Sequence, residues 1–185
     1  DIVSQPGGGA AKRWLIAEGF QPFGKNDPPS SRKMLKLPTA TFIEAKNPSI
    51  DLFVLPEDCK TLPSKQIGTR RLIRNTSIFE APHVLVTKGF SRVAFADFDV
   101  SFRHALRGIH GPKSDRDLLI FLAAYLRSDL ARFFLFHTSS NWGVYRPEVH
   151  VEELLRLPFP LPEGTNNPKR CQAIVREVAA TVTKA

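Results

Sequence analysis

The stretch HVLVTKGFSRVAFADFDVSF, residues 83–102, carries the pattern on which the fold prediction rests. Apolar residues dominate positions 83–86, Lys88-Gly89 follows as a turn, and apolar and polar residues alternate over positions 92–98. Two such runs joined by a short glycine-containing segment are typical of a β-hairpin, and the alternation is typical of a half-buried strand. The sequence therefore predicts a hairpin with strands over residues 83–86 and 92–96.

Upstream of this hairpin, strand-like runs separated by proline and glycine cover residues 39–45, 50–55 and 69–75. Residues 13–20 form a short ordered element, and residues 21–33, rich in Pro, Ser, Asn and Asp, are predicted to be a loop. Residues 1–12 contain three consecutive glycines, which predict a flexible linker. Residues 103–111 lead out of the hairpin, and Gly108 and Gly111 indicate a loop there.

Downstream of Lys113 the pattern becomes helical. Ser114 is a candidate N-cap, with Asp117 three residues later as a variant capping box. Ser128 offers a second N-cap, so residues 114–127 and 129–140 are predicted to form two consecutive, largely buried helices. Residues 151–156 form a short helix. The last helix begins at Asn167-Pro168 and carries a stripe of small apolar residues: Cys171, Ile174, Val175, Val178, Ala179 and Val182.

The segment LPFPLP, residues 157–162, alternates proline with large apolar residues. Because proline fixes φ and removes a hydrogen-bond donor, a strand formed by this segment would lie at the edge or end of the sheet. The alternative is a polyproline ligand for an SH3-like module. Taken together, the pattern predicts an α+β fold, with a β-rich part, a supporting helix pair and a C-terminal amphipathic helix.

The charge of the chain is concentrated in one segment. The 185 residues carry a net charge of +8, and ten Lys or Arg against three acids lie between Lys60 and Lys113. A field of one sign attracts polyanions, so a nucleic acid is favoured as partner over a basic surface kept for solubility.

No apolar run approaches the roughly 18 residues that a membrane span needs, so no membrane partner is predicted. No signal peptide is recognised. Cys59 and Cys171 are far apart, which favours reduced thiols in a cytoplasmic protein. The chain begins at Asp1 rather than at Met, and we expect it to be part of a longer protein.

Signals for catalysis are weak. The chain has no P-loop and no G-x-S-x-G elbow, and its five histidines lack metal-ligand spacing. Asp97 and Asp99 alternate on a predicted strand and could hold Mg²⁺, while Asp51 and Asp58-x-Lys60 resemble a nuclease element. A metal-dependent nuclease domain is therefore one alternative, and a protein-interaction domain with incidental charge is another. No metal site or cofactor is predicted for this segment.

Binding chemistry is more evident. Arg can donate two hydrogen bonds to phosphate or to guanine, Lys supplies a point charge, and Asn pairs with adenine. Cations on or near the hairpin, and the loop SSNWGVYR over residues 139–146, supply these groups. Trp142 of that loop is expected to pack on the core. The alternative for the whole loop is a turn in which Asn141 and Gly143 set the backbone geometry and Tyr145 also packs on the core. The predicted DNA contacts are Lys88, Arg92, Arg103, Arg107, Lys113, Asn141 and Arg146.

The order of elements from residue 79 to 162 resembles a known family. IFEAPHVLVTKGF (residues 78–90) and the run from LLIFLAAYL to LPFPLP (residues 118–162) are similar to target-recognition domains of bacterial restriction-modification systems. These are the C-terminal domain of TaqI-type adenine-N6 DNA methyltransferases and the specificity subunits of type I systems.

This resemblance implies a function. Residues 13–165 would form a target-recognition domain whose helix pair supports a curved, DNA-reading β-region. Residues 166–185 would form a helix that packs on this same domain. Alternatively, this helix would pair with a helix elsewhere, as the spacer helices of type I specificity subunits do. Double-stranded DNA and an upstream catalytic domain or methyltransferase subunit are the implied partners. The chain has no NPPY-like tetrapeptide, so catalysis, and any S-adenosylmethionine, would belong upstream.

Overall fold

The computed structural model describes residues 13–141, 148–159 and 161–184, and these form an α+β fold, as predicted. The strands are β1 (Leu15–Glu18), β2 (Lys33–Lys36), β3 (Thr41–Ile43), β4 (Lys60–Thr61), β5 (Gln66–Thr69), β6 (His83–Thr87), β7 (Val93–Ala96), β8 (Ser101–Phe102) and β9 (Leu106–His110). The helices are α1 (Arg116–Arg127), α2 (Asp129–Thr138), α3 (Val151–Leu155) and α4 (Pro168–Lys184). The linker predicted over residues 1–12 lies outside the described residues.

The central sheet has the order β1-β9-β6-β7, and all its neighbours are antiparallel. The predicted hairpin is confirmed, with Val84 opposite Phe95 and Val86 opposite Val93. The loop predicted after it is wrong, because residues 106–110 form β9, a central strand. Gly108 belongs there because a Cβ would lie 2.7 Å from the Phe102 ring.

Both faces of the central sheet are covered, so β7 is fully buried rather than half-buried as predicted. Val93 and Phe95 face the core shared with α1, and Ala94 and Ala96 face a second core on the opposite side. An apolar layer on each face explains why both sets of side chains are apolar.

Two small sheets extend the second core. β2 pairs with β5, and β3 lies between β4 and β8. The strand predicted over residues 39–45 is present as the shorter β3. The other two predictions are wrong: residues 50–55 contain only a bridge from Phe53 to Phe95, and residues 70–75 are bends that follow β5. The loop predicted over residues 21–33 is largely correct, and β2 begins at its last residue.

The predicted pair of consecutive helices is present, but the start of α1 and the burial of α2 differ from the prediction. α1 begins after Asp115 rather than Ser114, while Ser128 caps α2 as predicted by accepting the Ala131 N–H. α1 is buried, but the prediction that α2 is largely buried is wrong. A stripe of three large apolar side chains on α2 is 58–64% exposed, namely Leu130, Phe133 and Phe136.

The proline-alternating segment is not a strand within its described residues 157–159 and 161–162. Phe159 instead contacts the rings of Trp14, Phe121 and Tyr125, and the Tyr125 hydroxyl donates to the Pro158 carbonyl at 2.6 Å. The stiff segment therefore packs beside α1. α4 also packs on α1, through Val175 and Ala179.

Candidate nucleic-acid interface

Two of the predicted DNA contacts, Lys88 and Arg107, belong to a cluster of two cations and two anions. β1 and β9 place Glu18 directly opposite Arg107, and Lys88 follows the end of β6. The Lys88 Nζ lies 3.0 Å from Glu18 and 3.2 Å from Glu148. The Arg107 Nη2 lies 3.4 Å from Glu18 and 3.2 Å from Glu148. The four charges therefore balance one another at this end of the sheet.

Burial decides what each cation of this cluster can do. Arg107 is only 1% exposed, and its Nε and Nη1 atoms are buried without a hydrogen-bond partner among the residues that the structure describes. The Lys88 side chain is 28% exposed. Burial of Glu148 opposes its ionisation, but the hydrogen bond and charge of Lys88 and the charge of Arg107 lower its pKa overall. Arg107 is thus buried within the described part of the chain, and its contact with DNA stays a prediction.

The remaining predicted cations do not form one patch. Arg92 donates to the Asn47 carbonyl, and the exposed Arg103 guanidinium lies 5.5 Å from the centre of the Phe42 ring. Both lie at the Lys88 end of the sheet, since Thr87 pairs with Leu106 and accepts an N–H from residue 92. Lys113 follows His110, which is paired with His83 at the opposite end.

The predicted loop over residues 139–146 is only partly described. Asn141 is exposed, and its amide nitrogen lies 3.1 Å from the Nε2 atom of His150. Arg146, Trp142 and Tyr145 lie outside the described residues. Glu153 fixes the start of this loop, because its carboxylate accepts hydrogen bonds from Ser139, Ser140 and the backbone of His150.

An open cleft of about 570 Å³ lies beside the charge cluster. One wall is β1 with Gly19 and Gln21, and the other is the basic loop, defined as residues 70–75 (RRLIRN). Arg71 and Arg74 of this loop are exposed and line the cleft, together with Asn75, Lys88 and His104. Neither arginine forms an ion pair with any residue of the described ranges.

The basic loop is held at both ends. At its start the Arg70 N–H donates to the Gln21 carbonyl at 2.9 Å. At its end the Asn75 side chain accepts the Ser77 N–H, and a 3-10 helix follows with Ile78 and Phe79 fully buried. The sequence prediction took this run for a strand. The useful signal was its three arginines without an acid, next to a turn-forming Asn.

The acids of the nuclease alternative each have a partner of their own, although Asp97 and Asp99 line one cavity together with Lys113 and Arg116. Asp51 pairs with Arg127, Asp97 pairs with Arg116, and Asp58 accepts the Leu55 N–H. Asp99 accepts the Ala81 N–H. Across the described part of the chain, no group of three or more His, Cys, Asp or Glu could hold a metal ion. In the same part of the chain, no helix is long and apolar enough to span a membrane.

Comparison with known proteins gives fold neighbours only. No protein-family model and no curated protein sequence matches this chain. One similar solved structure comes from work on complex assembly and conformational transition of a type I R-M system, at 15% identity and a TM-score of 0.48. Another is the HsdS subunit from Thermoanaerobacter tengcongensis, at 15% identity and a TM-score of 0.38. Both matches cover 99% of this chain, which spans 42% and 41% of those chains.

Proposed function

We propose that this chain binds duplex DNA through the cleft beside the basic loop. The observation that carries the proposal is the exposure of Arg71 and Arg74 on that cleft without an acidic partner in the described structure. Lys88 adds a third cation, while Glu18, the one acid of the lining, is already paired with Lys88 and Arg107. The cleft is therefore poised to neutralise phosphates, which supply most of the affinity of DNA-binding proteins.

The fold supports this use of the cleft. Arg71 and Arg74 lie on a short loop anchored at both ends, so little order has to be gained when they bind. Arg103 and His104 extend the cationic and hydrogen-bonding surface past the exit of β8. Arg107 has a different role, because together with Lys88 it pairs with Glu18 and Glu148 and offsets their negative charge beside the cleft.

We further propose that the chain is a specificity domain of a restriction-modification system or DNA adenine methyltransferase. The support is the sequence resemblance over residues 78–162. In this role the chain supplies recognition, and methylation or cleavage belongs to an upstream domain or to a methyltransferase subunit. S-adenosylmethionine would bind there, and the complex would act in the cytoplasm, where bacterial DNA lies.

A salt titration tests DNA binding. Labelled duplex DNA is titrated with the wild-type chain and with Arg71→Gln/Arg74→Gln between about 50 and 200 mM salt. The wild type should bind with a steep negative slope of log affinity against log salt. The double variant should bind more weakly, with the slope smaller by about two, because each lost phosphate contact reduces it by about 0.9.

A matched variant excludes a general charge effect. Lys169→Gln/Arg170→Gln removes the same two charges from the exposed start of α4, a helix that packs on α1 rather than near the cleft. Its slope should equal that of the wild type. If the two double variants lower the slope equally, DNA senses net charge only and the cleft is not the binding site.

A further inference from the structure

The ribbon formed by β2 and β5 has an outward face with an unusual composition. Side chains on a strand alternate between faces, so Met34 and Lys36 lie on one face of β2. Arg32, the residue immediately before β2, continues the same face. The register places Met34 opposite Gly68 and Lys36 opposite Gln66, and Arg70 continues this face of β5. The outward face thus combines three cations, one amide, one thioether and one glycine.

The opposite face of the ribbon is committed to the core. Leu35 is buried, and Ile67 packs against the same second core. This anchoring fixes the register, because a slip of one residue would expose Leu35 and bury Met34 and Lys36. The side chains of the outward face are therefore presented by a rigid element rather than by a loop.

Met34 and Gly68 give this face its shape. Met34 is 56% exposed, and Gly68 opposite it has no side chain to cover the thioether. The Arg32 guanidinium lies over Gly68, where a Cβ would come within 2.9 Å of its Nε, and over the Phe23 ring at 5.7 Å. One acid borders the face, Asp27, whose carboxylate lies 3.8 Å from the Arg70 Nε.

We propose that this outward face enters the major groove of duplex DNA and reads base edges, a step that rests on the DNA binding proposed above. The major groove is about 12 Å wide and admits a two-stranded ribbon, whose strands are about 4.8 Å apart. Arg32 and Lys36 match the acceptors of guanine, and Gln66 matches the adenine edge. Met34 supplies an apolar contact for the thymine methyl group.

The position of the ribbon agrees with this assignment. β5 ends at Thr69 and continues without interruption into the basic loop at Arg70. Phosphate contacts from Arg71 and Arg74 would therefore set how deeply the ribbon inserts into the major groove. Phosphate contacts position a protein on DNA, while groove contacts specify the sequence, so the two functions fall on adjacent parts of one segment.

A competing explanation is that the ribbon only protects a sheet edge. The described structure shows β2 paired on one side alone, and exposed lysines are a common guard against edge-to-edge aggregation. That explanation accounts for Lys33 and Lys36. It does not explain why Gln66 and the exposed Met34 lie on this face. It predicts that either residue can be replaced without changing which DNA sequences the protein selects.

The experiment is selection from a randomised duplex library with the full 185-residue chain, followed by titration of the selected duplex and of a scrambled one. Gln66→Ala and Met34→Ala should each weaken binding of the selected duplex by about 5- to 150-fold, the loss expected for one base-reading contact. Binding of the scrambled duplex and the salt slope should stay unchanged. The selected sequence should become degenerate at one position in each variant.

Controls separate this proposal from the one on which it rests. Leu55→Ala and Gln172→Ala remove an exposed apolar and an exposed amide side chain elsewhere, and should leave selection unchanged. If Arg71→Gln/Arg74→Gln lowers affinity while the ribbon variants select the wild-type sequence, the ribbon is not the reader but DNA binding stands. A wild type that binds every duplex equally also overturns the ribbon assignment. A wild type that binds no duplex overturns both proposals.

Discussion

Replacement of His83 should reduce the loss of unfolding free energy that this protein shows when the pH falls from 7 to 5. His83 lies on β6 and is fully buried. Its Nδ1 atom lies 3.0 Å from the Ile78 carbonyl, which can only accept, so Nδ1 carries the hydrogen of the neutral ring. The Nε2 atom is buried, and no described residue forms a hydrogen bond with it in the neutral ring. A second proton there would place a positive charge in the core, which is costly.

The magnitude follows from the pKa of this ring. Burial lowers the His83 pKa from 6.5 to about 4, and the charge of His110 lowers it further, while hydrogen bonds to the Ile78 and Phe98 backbone and the charge of Asp99 act in the opposite direction. Between these two values the unfolded chain binds a proton that the folded chain does not. The free energy of unfolding therefore falls as pH falls through this window, by about 2 kcal/mol from pH 7 to pH 5.

The assay is urea unfolding of wild type and His83→Gln at pH 7 and pH 5. Glutamine can still donate to the Ile78 carbonyl but does not titrate, so the variant should lose about 2 kcal/mol less than the wild type between the two pH values. His137→Gln, on exposed α2, should behave as the wild type does. Equal losses in all three proteins would refute the reasoning. So would a wild-type His83 ring whose NMR signals titrate near pH 6.5.

Three further substitutions test two packing contacts and one hydrogen-bonded carboxylate. Phe159→Ala should cost about 3–5 kcal/mol in urea unfolding, because the ring is buried against three other aromatic rings; a cost below 1 kcal/mol would contradict this. Gly108→Ala should cost about 1–3 kcal/mol, because the methyl group overlaps Phe102 and Ile78; a neutral effect would contradict the position of β9. Glu153→Gln should destabilise at pH 7, because hydrogen bonds outweigh burial and lower the Glu153 pKa from 4.5 to about 2. That stability is present above pH 4.5 and lost toward pH 2, so thermal melts of wild type and variant should converge in acid.

Features set by neighbouring residues could be predicted from the sequence. The β6–β7 hairpin, the Ser128 cap and the Asn167-Pro168 start of α4 depend on contacts within a few positions. β9 could not be predicted in this way. Its Gly108 resembles a loop residue locally, and only the ring of Phe102 and the side chain of Ile78 above it make glycine necessary in a strand.

The same limit applies to the candidate site. The excess of cations between residues 60 and 113 is visible in the sequence, but the distinction between Arg107 and Arg71 is not. Arg107 is enclosed because β1 pairs with β9 and brings Glu18 opposite it across 89 residues. Arg71 is exposed and has no ion pair with a described residue, because β5 stops at Thr69 and the chain turns outward after it. Each outcome depends on pairing between distant segments.

This division among the cations has a consequence for how mutations should act. Lys88 and Arg107 sit in a balanced cluster, so removing either leaves Glu18 and Glu148 with excess negative charge beside the cleft. Their loss would therefore weaken DNA binding by repulsion as well as destabilise the fold. Arg71 has no such pairing within the described part of the chain, so its loss would remove only the phosphate contact proposed for it. Weaker DNA binding by Lys88→Gln is therefore not by itself evidence that Lys88 contacts DNA. The double variant Lys88→Gln/Glu18→Gln removes one positive and one negative charge, and direct contact is indicated only if it binds DNA as weakly as Lys88→Gln does.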